Sequence, residues 1–212
     1  MAKLVYLRTM TAGAVPRGCA GGYLAGKQVP QCLDDAGRMR GSVVDANHMN
    51  AISVPTDGHV PYYYADTPEG RLQAIAELVD NPFPITEDGL ARGKNLYNIF
   101  CGICHGEKGN GLGYIYDEEK NPNAKYPLAP ANFIKGDLLK ASNGRYYNAI
   151  YYGYNAMGAY KDKISYEERW QVIHYIRELQ STESGSEYSP MANTLNTAFG
   201  TPGKEFDAMV GS

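Results

Sequence analysis

Tyr97-Asn98-Ile99-Phe100-Cys101-Gly102-Ile103-Cys104-His105 is the stretch whose reading decides the fold. Its last five residues set two cysteines three positions apart with a histidine directly after them, the Cys-x-x-Cys-His motif for covalent haem attachment. With four Cys and four His in 212 residues, such a triple arises by chance on the order of once in a thousand sequences of this composition. The spacing has a physical reason. Two thiols must reach the two vinyl groups on one edge of a porphyrin, while the adjacent His swings under the ring and gives its imidazole to the iron. Two rival chemistries fit less well. A redox dithiol needs its Cys pair at the start of a helix, after a strand, whereas here the pair closes a helix. A structural zinc site needs two more ligands at compact spacing, and Cys19, Cys32, His48, His59 and His174 are all distant in sequence.

Working upstream, Leu90, Tyr97 and Phe100 recur on one helical face behind a candidate N-cap, Thr86, with Glu87 and Asp88 in the first turn. Gly93 shares that face; a helix-interior Gly costs about 1 kcal/mol relative to Ala, which predicts a second helix crossing there at close range. A shorter helix is predicted from Thr67 and Pro68 to Val79, stopped by Asn81-Pro82-Phe83-Pro84. Residues 1 to 60 keep neither the helical nor the strand period and read as an irregular extension.

Downstream, glycines and prolines hold residues 106 to 141 in a loop, and a Tyr-rich helix is predicted from Asn143 to Tyr152, ending at Gly153. Met157 follows between Gly153 and Gly158, in a loop that can approach a flat ring closely. A thioether ligand favours ferrous iron and closes the site to oxygen, so Met157 is the candidate sixth ligand; the alternative is ordinary core packing. Pro130, Ala131, Asn132 and Phe133, between the two ligands, are placed to line the ring edge and to supply a carbonyl or amide that orients His105. Tyr146, Tyr147, Tyr151, Tyr152 and Tyr154 suit either the pocket or the core. The capping box Ser165-Tyr166-Glu167-Glu168 opens the most strongly marked helix, with Trp170, Val172, Ile173, Ile176 and Leu179 as its apolar stripe. On that helix His174 falls on the polar flank and reads as a surface histidine. Residues 183 to 212 are polar and aperiodic, and read as a tail held by a partner or disordered.

Composition narrows the function classes. A hydrophobic share of 43% with 20% charged residues describes a folding chain, and a net charge of −3 supplies no field to gather phosphates, so nucleic acid is not an expected partner. No run approaches the roughly 18 to 20 apolar residues that cross a bilayer.

Gly93-x-x-x-Tyr97 ahead of Cys101-x-x-Cys104-His105, then Pro130-x-Asn132-Phe133, Gly153-x-x-x-Met157 and Trp170-x-Val172-x-x-Tyr175-Ile176-Arg177-x-Leu179, resemble a class I cytochrome c domain. The resemblance implies an all-α fold around one covalent haem c, with Cys101, Cys104, His105, Met157, Pro130, Asn132 and Phe133 binding the cofactor, and His105 and Met157 on the iron. It implies electron transfer and no bond-making catalysis. More narrowly, Tyr62-Tyr63-Tyr64, Asn81-Pro82 and the run from Ser165 to Ile176 resemble the monohaem cytochrome c subunit of bacterial alternative complex III, a membrane-bound quinol oxidoreductase found with terminal oxidases. That likeness implies a peripheral subunit on the periplasmic, extracytoplasmic face of the membrane. Its partners would be other subunits of the respiratory complex, other cytochromes among them, and a terminal oxidase or soluble electron acceptor. The expected organisation is an extension over 1–60, a monohaem domain over 61–182 with its haem core at 86–182, and a tail over 183–212. The first residues depart from the family: Arg8 interrupts the apolar stretch of an export signal, and Cys19 stands either as a lipid anchor or paired with Cys32. A free soluble carrier, and a haem enzyme or sensor with an open iron site, are the alternatives.

Overall fold

The computed structural model describes residues 23–24, 27–28, 62, 64–124, 126 and 128–210, in two units, 1–63 and 64–212. In the first unit the described backbone is one antiparallel pair, β1 (Tyr23–Leu24) and β2 (Lys27–Gln28), with Tyr23 opposite Gln28 and Leu24 opposite Lys27. The aperiodic sequence there predicts no regular element. Cys19, Cys32, His48 and His59 lie outside the described residues.

The second unit is all-α. Helix α1 (Pro68–Glu77) starts where the sequence places it: Thr67 accepts from the Gly70 amide at 3.1 Å and Pro68 takes the first turn. Helix α2 (Glu87–Phe100) is capped by Thr86 through the Gly89 amide at 3.0 Å. A single turn, α3 (Gly102–His105), follows without a loop. After a long connection with one 3-10 turn at Gly136–Lys140, α4 (Asn143–Tyr152) ends at Gly153, whose φ of 87° favours glycine. Helix α5 (Tyr166–Ser184) carries the reciprocal capping box of Ser165 and Glu168 and ends at Gly185 in the left-handed region.

The main packing is α2 on α5 and α1 on α4. Gly93 makes the first possible. A Cβ there would run into the Gln171 backbone carbonyl and lie 3.3 Å from Tyr175 Cβ, so the crossing predicted from the misplaced glycine is present. One turn on, the Tyr97 and Tyr175 rings meet edge to face at 5.2 Å. The second contact is closed by Ser142, whose hydroxyl donates to Ile75 O at 2.5 Å, and by the Gly144 amide on Leu78 O at 2.6 Å. Asn81 ties the loop between α1 and α2 to the long helix, donating to Trp170 O at 3.0 Å.

Two expectations need correction. The segment after α5 packs on its own domain: Tyr188 and Phe199 bury against Ile85 and Leu90, and the Ile85 amide donates to Thr201 O at 2.8 Å while the Gly203 amide donates back to Ile85 O at 3.0 Å. A last helix, α6 (Gly203–Val210), follows. The same segment covers the flank of α5 that the helical wheel assigns to solvent. His174 is therefore buried, with Nε2 on Phe83 O at 3.0 Å and Nδ1 on the Tyr188 hydroxyl at 2.7 Å. Arg169, Trp170, the run from Val172 to Arg177, Gln180 and Ser181 are all buried on α5.

Candidate cofactor site

Cys101 is the C-cap of α2, its amide donating to Tyr97 O at 2.8 Å, and the chain turns directly into α3. The amides of Cys104 and His105 both return to Cys101 O, at 3.1 and 2.9 Å, so two thiols and an imidazole leave one tight turn. Gly106, at φ 74°, then redirects the chain, and its carbonyl accepts from the Tyr97 hydroxyl at 2.8 Å. The loop beyond folds back on the motif, the Gly113 amide donating to Cys104 O at 3.1 Å.

The orientation of His105 is set from the Pro130–Phe133 segment. Its Nδ1 lies 3.0 Å from Ala131 O; a carbonyl only accepts, so Nδ1 holds the proton and Nε2 the lone pair. Burial lowers the His105 pKa, opposed by the Ala131 hydrogen bond, and keeps the ring neutral. Nε2 makes no hydrogen bond to any described residue. A neutral imidazole with its back nitrogen bonded to a carbonyl and its front nitrogen free is the form a metal ligand requires. Phe133 stacks on the imidazole at 4.4 Å and is itself held by its amide on Gly109 O at 2.7 Å. Pro130 packs its carbonyl against Gly111, where a Cβ would stand 2.7 Å away, and Asn132 Oδ1 accepts from the Ile134 amide at 3.1 Å to form the turn.

Cys101 and Cys104 are free thiols. Burial pushes Cys101 up to about 12, with Cys104 adding to the rise, and burial raises Cys104 as well. Thiols kept neutral by burial suit a redox dithiol poorly, since that chemistry works through a depressed pKa. Among the described residues no cluster of three or more His, Cys, Asp or Glu is arranged to hold a metal ion, so the zinc reading lacks its remaining ligands there. A thioether, once formed, carries no charge and tolerates this burial. The donor set therefore fits a covalently held haem.

Met157 is half-buried in a tight turn after α4, paired with Tyr154 through reciprocal amide–carbonyl bonds of 2.9 and 3.0 Å. Three residues on, Tyr160 connects that turn to the motif: its hydroxyl donates to Phe100 O at 3.2 Å and its ring meets Phe100 edge to face at 6.0 Å. Burial raises its phenol pKa, and Cys101 and Cys104 add to the rise. Of the five tyrosines, Tyr146, Tyr147 and Tyr151 are buried, Tyr152 is half-buried and Tyr154 exposed. Tyr160 and Arg177 go unassigned by the sequence; the motif spacing of Arg177 was legible, its lack of a carboxylate partner was not.

Residues 88–176 match the family model for subunit III of cbb3-type cytochrome c oxidase. No curated protein matches the chain. Among solved structures, the Kuenenia stuttgartiensis reducing HAO-like protein complex Kustc0457/Kustc0458 is similar at 28% identity over 46% of this chain and 46% of that one, with a TM-score of 0.38. The family match over residues 88–176, the helix order and the motif at the end of α2 agree on an all-α, class I cytochrome c-like fold for this helical unit, the type of domain that carries covalent c-type haem and transfers electrons.

Proposed function

We propose that this chain holds a single haem c: Cys101 and Cys104 would attach it through thioethers, His105 Nε2 and the Met157 sulfur would ligate its iron, and Pro130, Asn132 and Phe133 would line its site. When bound, the haem supplies a one-electron ferric–ferrous couple. The chain does the rest. Ala131 O fixes the imidazole tautomer, Phe133 fixes the ring plane, and Tyr160 keeps the Met157 turn against the thiol segment. The observation that carries the reading is the His105 imidazole, bonded at Nδ1 and open at Nε2, one residue after two free thiols.

In this reading the protein works as an electron-transfer subunit on the periplasmic, extracytoplasmic side of a membrane-associated respiratory complex, passing electrons from a quinol-oxidising assembly of the alternative complex III type toward a terminal oxidase. The similarity of the Ser165–Ile176 run to that subunit supports it, and so does the membership of the matched family model in an oxidase. Peripheral attachment is part of this reading; among the described residues no helix is long and apolar enough to cross a membrane. The experiment is purification of the tagged chain from detergent-solubilised native membranes, with identification of what accompanies it. Other cytochromes and integral membrane subunits in fixed ratio are expected; recovery of the chain alone from the soluble fraction would favour the free carrier.

A further inference from the structure

Helix α5 carries a guanidinium into the interior of the domain with no anion among the described residues to match it. Arg177 is fully buried, and its hydrogen bonds all go to neutral oxygens: Nε and Nη2 to Asn143 Oδ1 at 3.0 and 2.8 Å, Nη2 to Ala141 O at 2.6 Å, and Nη1 to Gln180 Oε1 at 2.9 Å. Rings flank it, Phe199 at 3.6 Å and Tyr146 at 4.8 Å from the guanidinium carbon to the ring centroids. A buried cation is expensive unless paired, and a carboxylate is the usual partner. None of the groups acting on Arg177 is Asp or Glu; burial brings it down to about 10, which leaves it cationic at neutral pH. Its field is felt nearby, since it contributes to holding His174 neutral.

We propose that Arg177 is a fixed internal positive charge that raises the reduction potential of the haem that His105 would ligate, and so selects which one-electron partners exchange with this domain. The inference rests on the haem reading of Cys101–His105. Two aromatic rings separate the charge from the imidazole: Tyr146, under the guanidinium, meets Phe133 edge to face at 5.8 Å, and Phe133 stacks on His105. Both rings are buried, so the path from the guanidinium to the imidazole is shielded from water and screening along it is weak. An electron arriving from a reduced protein partner adds one negative charge at the site, with no bond made or broken. A fixed positive charge favours that gain, and the midpoint rises. The hydrogen-bond network also holds the path in place, because Gln180, fixed by Arg177, donates to Phe133 O at 2.7 Å and to the Tyr146 hydroxyl at 2.9 Å.

The test is a potentiometric titration of the haem-loaded full chain at pH 7, followed by absorbance, on Arg177→Gln, Arg177→Lys and Asn143→Asp. Gln removes the charge. Lys keeps the charge and loses the planar fork. Asp neutralises the guanidinium in place, at the expense of the Asn143 Nδ2 bond to Phe199 O, so the test survives if Arg177→Gln does not fold. Arg177→Gln and Asn143→Asp should each move the ferrous-to-ferric ratio at fixed ambient potential about fivefold toward ferric, from a unit charge acting at this range in a protein interior, and Arg177→Lys should change it less than about twofold. Haem-bearing Asn143→Asp at the wild-type midpoint overturns the inference, as does an Arg177→Lys shift as large as that of Arg177→Gln. Haem that is not covalently attached in the wild-type chain defeats the haem reading and this inference together, whereas attached haem with unmoved potentials defeats this inference alone.

Discussion

Acid should loosen this domain through His174. The side chain is buried with both nitrogens engaged: Phe83 O accepts from Nε2, which leaves Nδ1 to accept from the Tyr188 hydroxyl. Burial brings its pKa down to about 4, assisted by Arg177 and opposed by the Phe83 bond, against 6.5 for the unperturbed ring. A depressed pKa means that the unfolded chain binds a proton more readily than the native state. Stability is therefore full above the unfolded value and falls as pH drops from about 6.5 toward 4. Each tenfold difference in proton affinity between the two states is worth about 1.4 kcal/mol, so the whole effect is about 3 kcal/mol, of which about 2 kcal/mol is lost between pH 7 and pH 5. Guanidinium unfolding of the haem-loaded protein at those two pH values measures it. The variant His174→Gln keeps a donor for Phe83 O and removes the titration, so it should be less stable at pH 7 but lose about 2 kcal/mol less than wild type on going to pH 5. If the variant and the wild type lose stability equally over that interval, His174 is not held neutral in the interior and the tail does not seal that side of α5.

Other consequences are direct. Met157→Ala should leave the haem attached, since Cys101 and Cys104 hold it independently, but should admit carbon monoxide and lower the midpoint potential; Met191→Ala, at an exposed position in the tail, should do neither. Gly93→Ala gains about 1 kcal/mol of helix propensity yet drives a methyl into the Gln171 carbonyl, where overpacking costs about 1–3 kcal/mol, so thermal unfolding should show a net loss. An unchanged or raised melting temperature would mean that α2 and α5 do not cross there. Ser165→Ala should cost about 1 kcal/mol by removing one arm of the capping box, read by the same melt.

What could be read from the sequence was local. Thr86 and Ser165 cap their helices by contacts within three residues, Gly153 stops α4 by its own backbone freedom, and the thiols and imidazole share one turn because their spacing demands it. Gly93 was legible for a different reason: a residue that weakens its own helix points to something outside it. The segment after Ser184 was not legible, because Tyr188, Leu195 and Phe199 are spaced without period among polar residues and make sense only against Ile85 and Leu90, about a hundred positions away. His174 was misread in consequence. A helical wheel sees the face of one helix, and what covers that face came from elsewhere in the chain. Arg177 is similar, in that its lack of a carboxylate partner is a property of everything packed around it.

The central claim is that Cys101, Cys104 and His105 hold haem covalently. The most direct measurement is the intact mass of the protein after denaturation in acidified organic solvent, followed by mass analysis of its proteolytic peptides. The account predicts one haem retained on the chain and located on the peptide that contains Cys101 and Cys104. Haem that extracts freely into the solvent, leaving both thiols unmodified, would contradict it.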